Sequence, residues 1–346
     1  MQTVTVSAAD AAARARALAG TVNEALAALS LPEGPASLYA PVRYVLDGGG
    51  KRLRPVILLL TAEAFGGDAA RTRALPAALA VEVFHNFTLV HDDIMDHAAT
   101  RRGRPTVHAR WDEPAAILAG DFMMGLAYDL LARAGLETPG DSAAGRGDAL
   151  REALAAFHRM VTRLCEGQAL DLAFERRRDV TVDDYLAMID GKTGALLELC
   201  LDLGALAGGA PAEARPALRR AGHDLGRAFQ IQDDLLDLTA LHADWGKTIG
   251  GDLVEGKKTF LLLETLACAE GEERAWFARA LDGGLPAADV PEARARMERL
   301  GVLARTAAAV DEYAQRGVAT LASALPPSTA ADVLVALARS LAHRAV

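Results

Sequence analysis

Apolar residues recur at the spacing of an α-helix over long stretches of this chain, and this pattern constrains its fold more than any other feature. The clearest stretches are residues 75–96, 117–134 and 185–206. Alternating strand patterns are hard to find and β-branched runs are scarce, whereas alanine and leucine abound. Since 51% of the 346 residues are hydrophobic, the chain can bury a large core. The sequence therefore predicts an all-α protein.

Short breaks separate the helical stretches. They are rich in glycine, proline or charge, as connections between helices are, and they cover residues 135–147, 208–216, 240–251 and 282–291. Their composition is that of helix connections rather than of linkers between domains. We therefore predict one helical domain over residues 1–346, in which residues 1–30 form an N-terminal helical extension.

Composition argues against several classes of protein. A net charge of −9 disfavours nucleic acid as a partner. The N-terminus lacks the basic start and apolar core of a secretion signal, and no stretch of about twenty uncharged apolar residues predicts a membrane span. Cys165, Cys200 and Cys268 are widely separated and form no CxxC motif, so we expect buried, inert thiols. A cytoplasmic location is the resulting prediction.

Two acidic clusters of the same form, DDIMD from Asp92 to Asp96 and DDLLD from Asp233 to Asp237, lie inside apolar stretches with helical spacing. The first and last aspartates of each cluster share one face of a helix. Such pairs repel by only about 0.2–0.5 kcal/mol on an exposed helix, and by more where water screens poorly. A multivalent cation removes that repulsion, and carboxylates together with water and phosphate oxygens suit Mg²⁺. The clusters therefore predict bound magnesium and a phosphate-containing substrate.

A solvated acidic helix face is the alternative interpretation of a single DDxxD cluster. Two observations favour a site instead. The same cluster occurs twice, and large apolar residues precede both copies, which argues for burial: Phe84, Phe87, Leu89 and Val90 before the first, Phe229 and Ile231 before the second.

Cations are combined with glycine or proline in two places. GGGKRLRP at 48–55 joins a glycine turn, which lets backbone amides approach an anion, to three cations and a proline that can start a helix. It is not a Walker loop, because Val45 stands where a glycine is required and Arg52 replaces the Ser or Thr. RRGRP at 101–105 follows the first acidic cluster, and guanidinium groups suit phosphate oxygens. The alternative for the segment at 48–55 is an ordinary solvated start of a helix. The alternative for the segment at 101–105 is simple charge balance with the preceding aspartates.

Glycine-lysine segments without Walker spacing occur three times, as GKTG at 191–194, GKT at 246–248 and GKKT at 256–259. Leu186 and Leu241 stand where a P-loop glycine would precede the first two. We interpret the lysines as phosphate-facing groups at helix breaks, with ordinary surface lysines as the alternative. His85 lies seven residues before Asp92 and nearly on the same helix face, where it could donate to an anion; a satisfied core histidine is the alternative.

Taken together, the motifs resemble those of the trans-isoprenyl diphosphate synthases, the polyprenyl synthetase family. The matching segments come in the family's order and span most of the chain: GGGKRLRP at 48–55, FHNFTLVHDDIMD at 84–96, RRGRPTVH at 101–108, GKTG at 191–194, FQIQDDLLD at 229–237 and GKTIGGDLVEGKKT at 246–259. A lone DDxxD motif recurs by chance, whereas six ordered segments do not.

The resemblance implies the all-α isoprenoid synthase fold around a deep central cavity, with the aspartate motifs on opposite walls, usually in a homodimer. It implies three Mg²⁺ ions per active site, held by Asp92, Asp96 and Asp233 and supported by Asp93, Asp234 and Asp237. The residues around the allylic diphosphate would be Arg101, Lys192, Thr193, Gln230, Lys247 and Lys257. Those that bind isopentenyl diphosphate would be Lys51, Arg54, His85 and Arg102. The candidate catalytic residues are Asp92, Asp96, Asp233, Lys192 and Arg101.

The implied reaction is the head-to-tail (1′-4) condensation of isopentenyl diphosphate with an allylic diphosphate, which gives an all-trans prenyl diphosphate. Metal ions and cationic side chains would stabilise the departing diphosphate, so that no nucleophilic side chain is needed. Phe87, five residues before Asp92, resembles the residue of short-chain synthases, particularly geranylgeranyl diphosphate synthases, and predicts a C20 product. Helical geometry leaves Thr88 more directly below the aspartates, since residue 87 is rotated from Asp92 by about 140°.

Other products and classes stay open. The product could be farnesyl diphosphate or a longer chain. A terpene cyclase also uses DDxxD, but its second metal motif normally contains Asn, Ser and Glu instead of another DDxxD. A non-catalytic partner subunit would be expected to lose aspartates or the Arg101-Arg102 pair, and this sequence retains both.

Overall fold

The computed structural model describes residues 6–134, 136, 143–240 and 249–342, and this part of the chain is built almost wholly of helices. The α-helices are α1 Ala8–Ala27, α2 Ala36–Leu46, α3 Leu53–Met95, α4 Val107–Arg110, α5 Glu113–Ala132, α6 Ala143–Arg176, α7 Val182–Ile189, α8 Ala195–Ala207, α9 Arg215–Thr239, α10 Gly251–Glu255, α11 Phe260–Cys268, α12 Gly271–Ala278, α13 Val290–Arg299, α14 Val302–Ala324 and α15 Thr329–Ala342. A π-helix spans Asp190–Gly194, and 3₁₀ turns span Arg279–Asp282 and Ala287–Asp289. The all-α prediction is confirmed.

A two-residue hairpin follows α3. Strand β1, Thr100–Arg101, pairs antiparallel with β2, Arg104–Pro105. The two turn residues, Arg102 and Gly103, both have positive φ, 53° and 71°, as the tightest hairpin turns require. These are the only strands in the described residues. The hairpin turns the Arg101-Arg102 pair back beside the end of α3.

Helix ends follow local sequence signals. Asp112 caps α5, its carboxylate accepting the N–H of Ala115 at 2.7 Å. Thr181 and Asp184 form a reciprocal capping box at the start of α7. The predicted connection 208–216 matches the interval between α8, which ends at Ala207, and α9, which begins at Arg215. Helix α6 already begins at Ala143, inside the predicted break 135–147. Residues 241–248 of the predicted break 240–251 lie outside the described residues.

Helix α3 begins two residues earlier than the proline signal indicated. Its first residue is Leu53, so Pro55 occupies the third position of the helix rather than the first. The proline fits there because the first N–H groups of a helix have no acceptor within it. Gly67, with φ 68° and ψ −167°, interrupts α3 in its middle, and residues 75–96 of the sequence pattern fall in the second segment.

The chain divides into two compact units. The first contains the described residues of Met1–His158 together with Leu199–Leu218 and Ala322–Leu337. In it α5 packs against α3, and α1 of the predicted N-terminal extension also packs against α3. Its fully buried side chains include Leu58, Phe84, Met123 and Leu131. The single helical domain over residues 1–346 stays a prediction.

The second unit contains Arg159–Glu198, Arg219–Leu321 and the described part of Ala338–Val346. One buried cluster includes Leu262, Phe277 and Met297. A second cluster joins α7, α9 and α11 through Tyr185, Ile231 and Phe260. Ile231 of this second cluster lies two residues before Asp233, the first residue of the second acidic motif.

Helix α5 is long and apolar enough, by length and composition alone, to cross a bilayer, and it is the one helix of the described residues that meets this test. A core helix of a soluble protein meets the same test, and α5 packs against α2, α3 and α4. Two of its apolar side chains are exposed, Ile117 at 44% and Leu118 at 58%.

The expectation for the cysteines was partly wrong. Cys200 is buried, and burial raises the pKa of its thiol to about 12. Cys165 and Cys268 are exposed, because they lie on outward faces of α6 and α11. A helical environment in the sequence does not determine which face a residue occupies.

Candidate active site

The first acidic motif forms the last turn of α3. The N–H of Asp96 donates to the carbonyl of Asp92 at 2.8 Å, so these two residues are one helical turn apart, as predicted. Asp93 is buried and accepts a hydrogen bond from Arg101 Nε at 2.7 Å. Burial raises the pKa of Asp93, and the neighbouring Arg101 opposes that rise. Asp93 thus binds Arg101, while Asp92 and Asp96 remain partly or fully exposed.

Three of the residues assigned to isopentenyl diphosphate lie in a basic cluster of the first unit. Arg54 Nη1 is 3.2 Å from His85 Nε2, and Arg102 donates to the carbonyl of Gly49 at 2.6 Å. Burial, then Arg54 and Arg102, holds the pKa of His85 well below its usual value. The cluster therefore concentrates positive charge that a bound anion would relieve. Lys51, also assigned to this substrate, is exposed beside it in the chain.

Glycine is required where the arginine approaches this loop. Gly50 has φ 132°, and a Cβ there would lie 2.8 Å from Arg102 Nη1. A side chain at this position would push the guanidinium away from the loop. The GGG segment therefore serves to admit Arg102.

Arg52 has a different role from the cations beside it in the sequence. Its φ of 48° turns the side chain inward, where it forms an ion pair with Glu82 at 2.6 Å, with side-chain exposures of 2% and 4%. It also donates to Asn23 and to the carbonyl of Leu46. Arg52 therefore anchors the glycine loop to α3.

The second acidic motif lies in the last turns of α9. Asp234 is buried and accepts hydrogen bonds from Tyr185 Oη at 2.5 Å, Gln230 Nε2 at 3.2 Å and the N–H of Phe260 at 3.2 Å. Burial and the charge of Asp252 raise its pKa to about 8. Asp237 accepts the N–H of Asp252 at 3.1 Å. Asp234 and Asp237 thus join the motif to neighbouring elements, whereas Asp233 is only partly buried.

A cavity of about 190 Å³ opens beside this motif in the second unit. Lys192 reaches it and binds Asp171 at 2.5 Å, and the hydroxyl of Thr193 donates to Gln230 at 2.8 Å. The residues that line it are Asp171, Tyr185, Met188, Ile189, Lys192, Thr193, Gln230, Asp233, Asp234, Asp237, Asp252, Lys257, Lys258 and Thr259. It brings together seven of the predicted residues, Lys192, Thr193, Gln230, Asp233, Asp234, Asp237 and Lys257. The predicted Lys247 lies outside the described residues.

Sequence reasoning gave no individual role to five polar residues of this cavity: Asp171, Tyr185, Asp252, Lys258 and Thr259. Asp171 is a single aspartate on α6 whose partner Lys192 is 21 residues away. Asp252 lies four residues after the GKT segment at 246–248, and this position in the sequence was its only signal. Lys258 and Thr259 belong to the GKKT segment, whose lysines were predicted to face phosphate without a choice between them. Tyr185 carries no local signal, because its role comes from its tertiary contact with Asp234.

The sequence analysis placed the GKTG segment at a helix break, and this interpretation was wrong. Residues Asp190–Gly194 form a π-helix that continues α7 into α8; we call it the π-turn. The glycines permit close backbone contact: a Cβ on Gly191 would lie 2.4 Å from the carbonyl oxygen of Arg163 on α6. Wide turns of this kind frequently occur at functional sites.

The arrangement of carboxylates fits a divalent cation. Helix α3 ends at Met95 and α9 at Thr239. The carboxylates in their last turns, Asp92 and Asp237, therefore add to the negative end of the helix dipole, at a cost of about 0.3–1 kcal/mol each. In the described residues no three His, Cys, Asp or Glu side chains are grouped to hold an ion by themselves. Mg²⁺ usually binds one or two protein carboxylates, and water and phosphate oxygens complete its coordination.

The two predicted chain-length residues lie on α3 above the aspartates. The ring of Phe87 packs edge-on against His91, with centroids 4.7 Å apart, and tilted against Phe84 at 5.3 Å. The hydroxyl of Thr88 donates to the carbonyl of His85 at 2.8 Å. Phe87 is thus a fixed aromatic wall, and Thr88 is a small residue satisfied by its own helix.

An all-helical protein with two DDxxD turns, a basic cluster and a cavity where lysine, threonine and carboxylates meet is, by class, a prenyltransferase that acts on diphosphates. Comparison with known proteins gives the family. The chain belongs to the polyprenyl synthetase family, whose model matches residues 35–295.

Several members of the family are similar to this chain. It is 44% identical over 229 residues to the geranylgeranyl diphosphate synthase of Methanosarcina mazei, covering 66% of this chain and 67% of that protein. It is 43% identical over 256 residues to the geranylfarnesyl diphosphate synthase of Natronomonas pharaonis, covering 70% and 72%. The crystal structure of geranylgeranyl pyrophosphate synthetase from Pyrococcus horikoshii aligns with a TM-score of 0.87 at 37% identity, over 97% of this chain and 99% of that one. The chain therefore has the isoprenoid synthase fold, as predicted.

Proposed function

We propose that this protein condenses isopentenyl diphosphate with allylic diphosphates in head-to-tail fashion and releases all-trans geranylgeranyl diphosphate. The cavity beside the second acidic motif carries this proposal, because it combines ammonium and hydroxyl donors for a diphosphate with carboxylates, which are the ligand type of Mg²⁺. Relatives named for C20 synthesis support the product length. The similar identity to a geranylfarnesyl synthase keeps a longer product as the second candidate.

Each substrate has its own set of residues in the proposal. Lys51, Arg54, His85 and Arg102 bind isopentenyl diphosphate, and the positive charge gathered around His85 supports this. The allylic diphosphate is bound by Arg101, Lys192, Thr193, Gln230, Lys257 and, from the sequence, Lys247. Asp92, Asp96 and Asp233 hold Mg²⁺, three ions in all. When bound, these ions stabilise the negative charge of the departing diphosphate.

The residues present support ionisation without a protein nucleophile. Lys192, Thr193 and Arg101 donate to the diphosphate oxygens as the allylic C–O bond breaks. The isopentenyl double bond then forms the new C–C bond, and a proton leaves to the released diphosphate. Exclusion of water from the site would protect the allylic cation.

A homodimer in the cytoplasm is the proposed state of the protein, with no nucleic-acid partner and no membrane span. The exposed Ile117 and Leu118 of α5 support the dimer, since an apolar helix face with two large exposed side chains suits a second copy. The net charge of −9 supports the absence of nucleic acid.

Product analysis tests the proposal. Purified protein is incubated with Mg²⁺, isopentenyl diphosphate and, separately, dimethylallyl, geranyl or farnesyl diphosphate, and chain length is read by mass. We expect C20 to accumulate from every primer, because each can be extended until the chain meets Phe87. A C25 or longer end product would support the second candidate, and no condensation with any primer would overturn the proposal.

Truncation of the aromatic wall should lengthen the product. Phe87→Ala removes the ring that packs on Phe84 and His91, so we expect products of C25 and above in the same mass assay. Thr88→Ala is the matched control one residue away, and it should still give C20. If Thr88→Ala gave a longer product while Phe87→Ala still gave C20, residue 88 and not residue 87 would limit the length of the product.

A further inference from the structure

The π-turn begins with Asp190, a residue that the proposed chemistry does not use. Its carboxylate is bound by two side chains of α9. Arg227 donates from Nε at 2.7 Å and from Nη2 at 2.6 Å, and His223 Nε2 lies 3.2 Å away. Paired hydrogen bonds of this kind between guanidinium and carboxylate fix orientation as well as distance. We call these three residues the Asp190 clamp.

One face of α9 binds the π-turn and α7 at three points. Arg227, Gln230 and Asp234 are spaced by three and four residues, so they share that face. Arg227 binds Asp190, Gln230 accepts the hydroxyl of Thr193, and Asp234 accepts the hydroxyl of Tyr185. The Asp190 clamp therefore sets the register between the lysine of the π-turn and the second acidic motif.

Backbone contact encloses the π-turn on two sides. A Cβ on Gly167 of α6 would lie 2.3 Å from the amide nitrogen of Lys192, and one on Gly226 of α9 would lie 2.8 Å from Cα of Gly194. These contacts fix how closely the turn packs, but van der Waals contact is non-directional. The directional hydrogen bonds to Asp190 are what fix its rotation.

An outer ion pair completes the network on α9. Hydrogen bonds to Asp190 and Asp224 raise the pKa of His223 to about 9, so His223 is a cation at neutral pH. Asp224 in turn accepts two hydrogen bonds from Arg316, at 2.9 and 2.7 Å. Arg316 contacts Asp224 and not Asp190, so it reaches the π-turn only through His223 and leaves the paired hydrogen bonds of Arg227 in place.

We propose that Asp190 is a positioning residue for the allylic diphosphate, which holds the π-turn through Arg227 and His223 in the rotation that directs Lys192 and Thr193 into the acidic cavity. The inference rests on the proposed function, because Lys192 and Thr193 are assigned there to that diphosphate. It adds that their orientation depends on a carboxylate that does not touch the substrate.

Steady-state kinetics of Asp190→Asn test this role. The amide keeps the size of the side chain but removes the charge that binds Arg227 and His223. We expect the KM for the allylic diphosphate to rise about tenfold, which corresponds to about 1.4 kcal/mol of lost binding. The KM for isopentenyl diphosphate should stay the same, since its proposed residues lie on other elements. Asp190→Glu, which keeps the charge, should restore part of the loss.

Arg316→Met is the control one contact further out, because it removes the paired hydrogen bonds on Asp224 but leaves those from Arg227 to Asp190. It should lower the melting temperature without changing either KM. Amide hydrogen exchange adds a readout independent of turnover: residues 190–194 should exchange faster in Asp190→Asn than in the wild type or in Arg316→Met. The inference is overturned if both KM values rise together, if Arg316→Met has the same effect, or if exchange of 190–194 is unchanged. A wild-type protein without condensation activity would instead refute the proposed function.

Discussion

Asp92→Ala and Asp233→Ala are each expected to lower kcat by about 10³-fold or more, because each removes a carboxylate proposed to hold the ions that stabilise the leaving diphosphate. Stability should be unchanged or slightly higher. Asp92 stands in the last turn of α3, where a negative charge opposes the helix dipole, and Asp233 is only partly buried. The measurement is turnover in the condensation assay together with thermal unfolding followed by circular dichroism.

Asp129→Ala provides a matched control for these variants. Asp129 is an aspartate on α5 that pairs with Arg133 at the surface, with exposures of 47% and 69%. Its loss should leave kcat within about twofold of wild type, since exposed ion pairs contribute little. Normal turnover in Asp92→Ala or Asp233→Ala would contradict the metal assignment, and a large fall in melting temperature would show that the loss is structural.

Arg52→Met should destabilise the protein by about 3–5 kcal/mol, because it leaves the carboxylate of Glu82 buried without its ion-pair partner. The pair is almost fully buried, and Arg52 also donates to Asn23 and to the carbonyl of Leu46. Such a loss is a large share of the ~5–15 kcal/mol by which domains are usually stable. The shift of the urea unfolding midpoint measures it.

Two further variants test whether the loss of stability in Arg52→Met comes from the burial of the ion pair. Arg14→Met breaks the ion pair with Glu63, in which the arginine is 36% exposed, and it should cost at most about 1 kcal/mol. The double variant Arg52→Met/Glu82→Leu should recover much of the stability, since replacing both partners of a buried pair with apolar groups is often neutral. Equal losses in Arg52→Met and Arg14→Met would be inconsistent with the buried-pair account.

Local patterns were enough to predict the helices and the faces of the aspartate motifs. Residues 75–95 fall within α3, which Asp96 ends, and the hydrogen bond from Asp96 to Asp92 gives the predicted one-turn separation. These features depend on the period of the helix, which the order of apolar residues records directly. The residues of the cavity were predicted in part through the resemblance of their motifs to those of a known family.

What the sequence could not reveal depends on contacts between distant residues. Asp190 and Arg227 are 37 residues apart, and each is a single charge in a helical stretch. Arg52 stands among cations predicted for anion binding, yet a left-handed backbone turns it toward Glu82. The glycines of 190–194 indicated a break, whereas they serve close packing against α6 and α9. Tertiary packing determines each of these outcomes.

The π-turn also changes the direction in which the side chains after it point, compared with an uninterrupted α-helix. A π-turn takes up one residue more than an α-turn, so the helical wheel of residues 195–207 is offset by about 100° from that of 182–189. Removing one residue from 190–194 would restore a uniform wheel, and every side chain after it would then point to a different neighbour. Homologues aligned across this segment must therefore agree in length as well as in residue type for their second halves to present the same stripe.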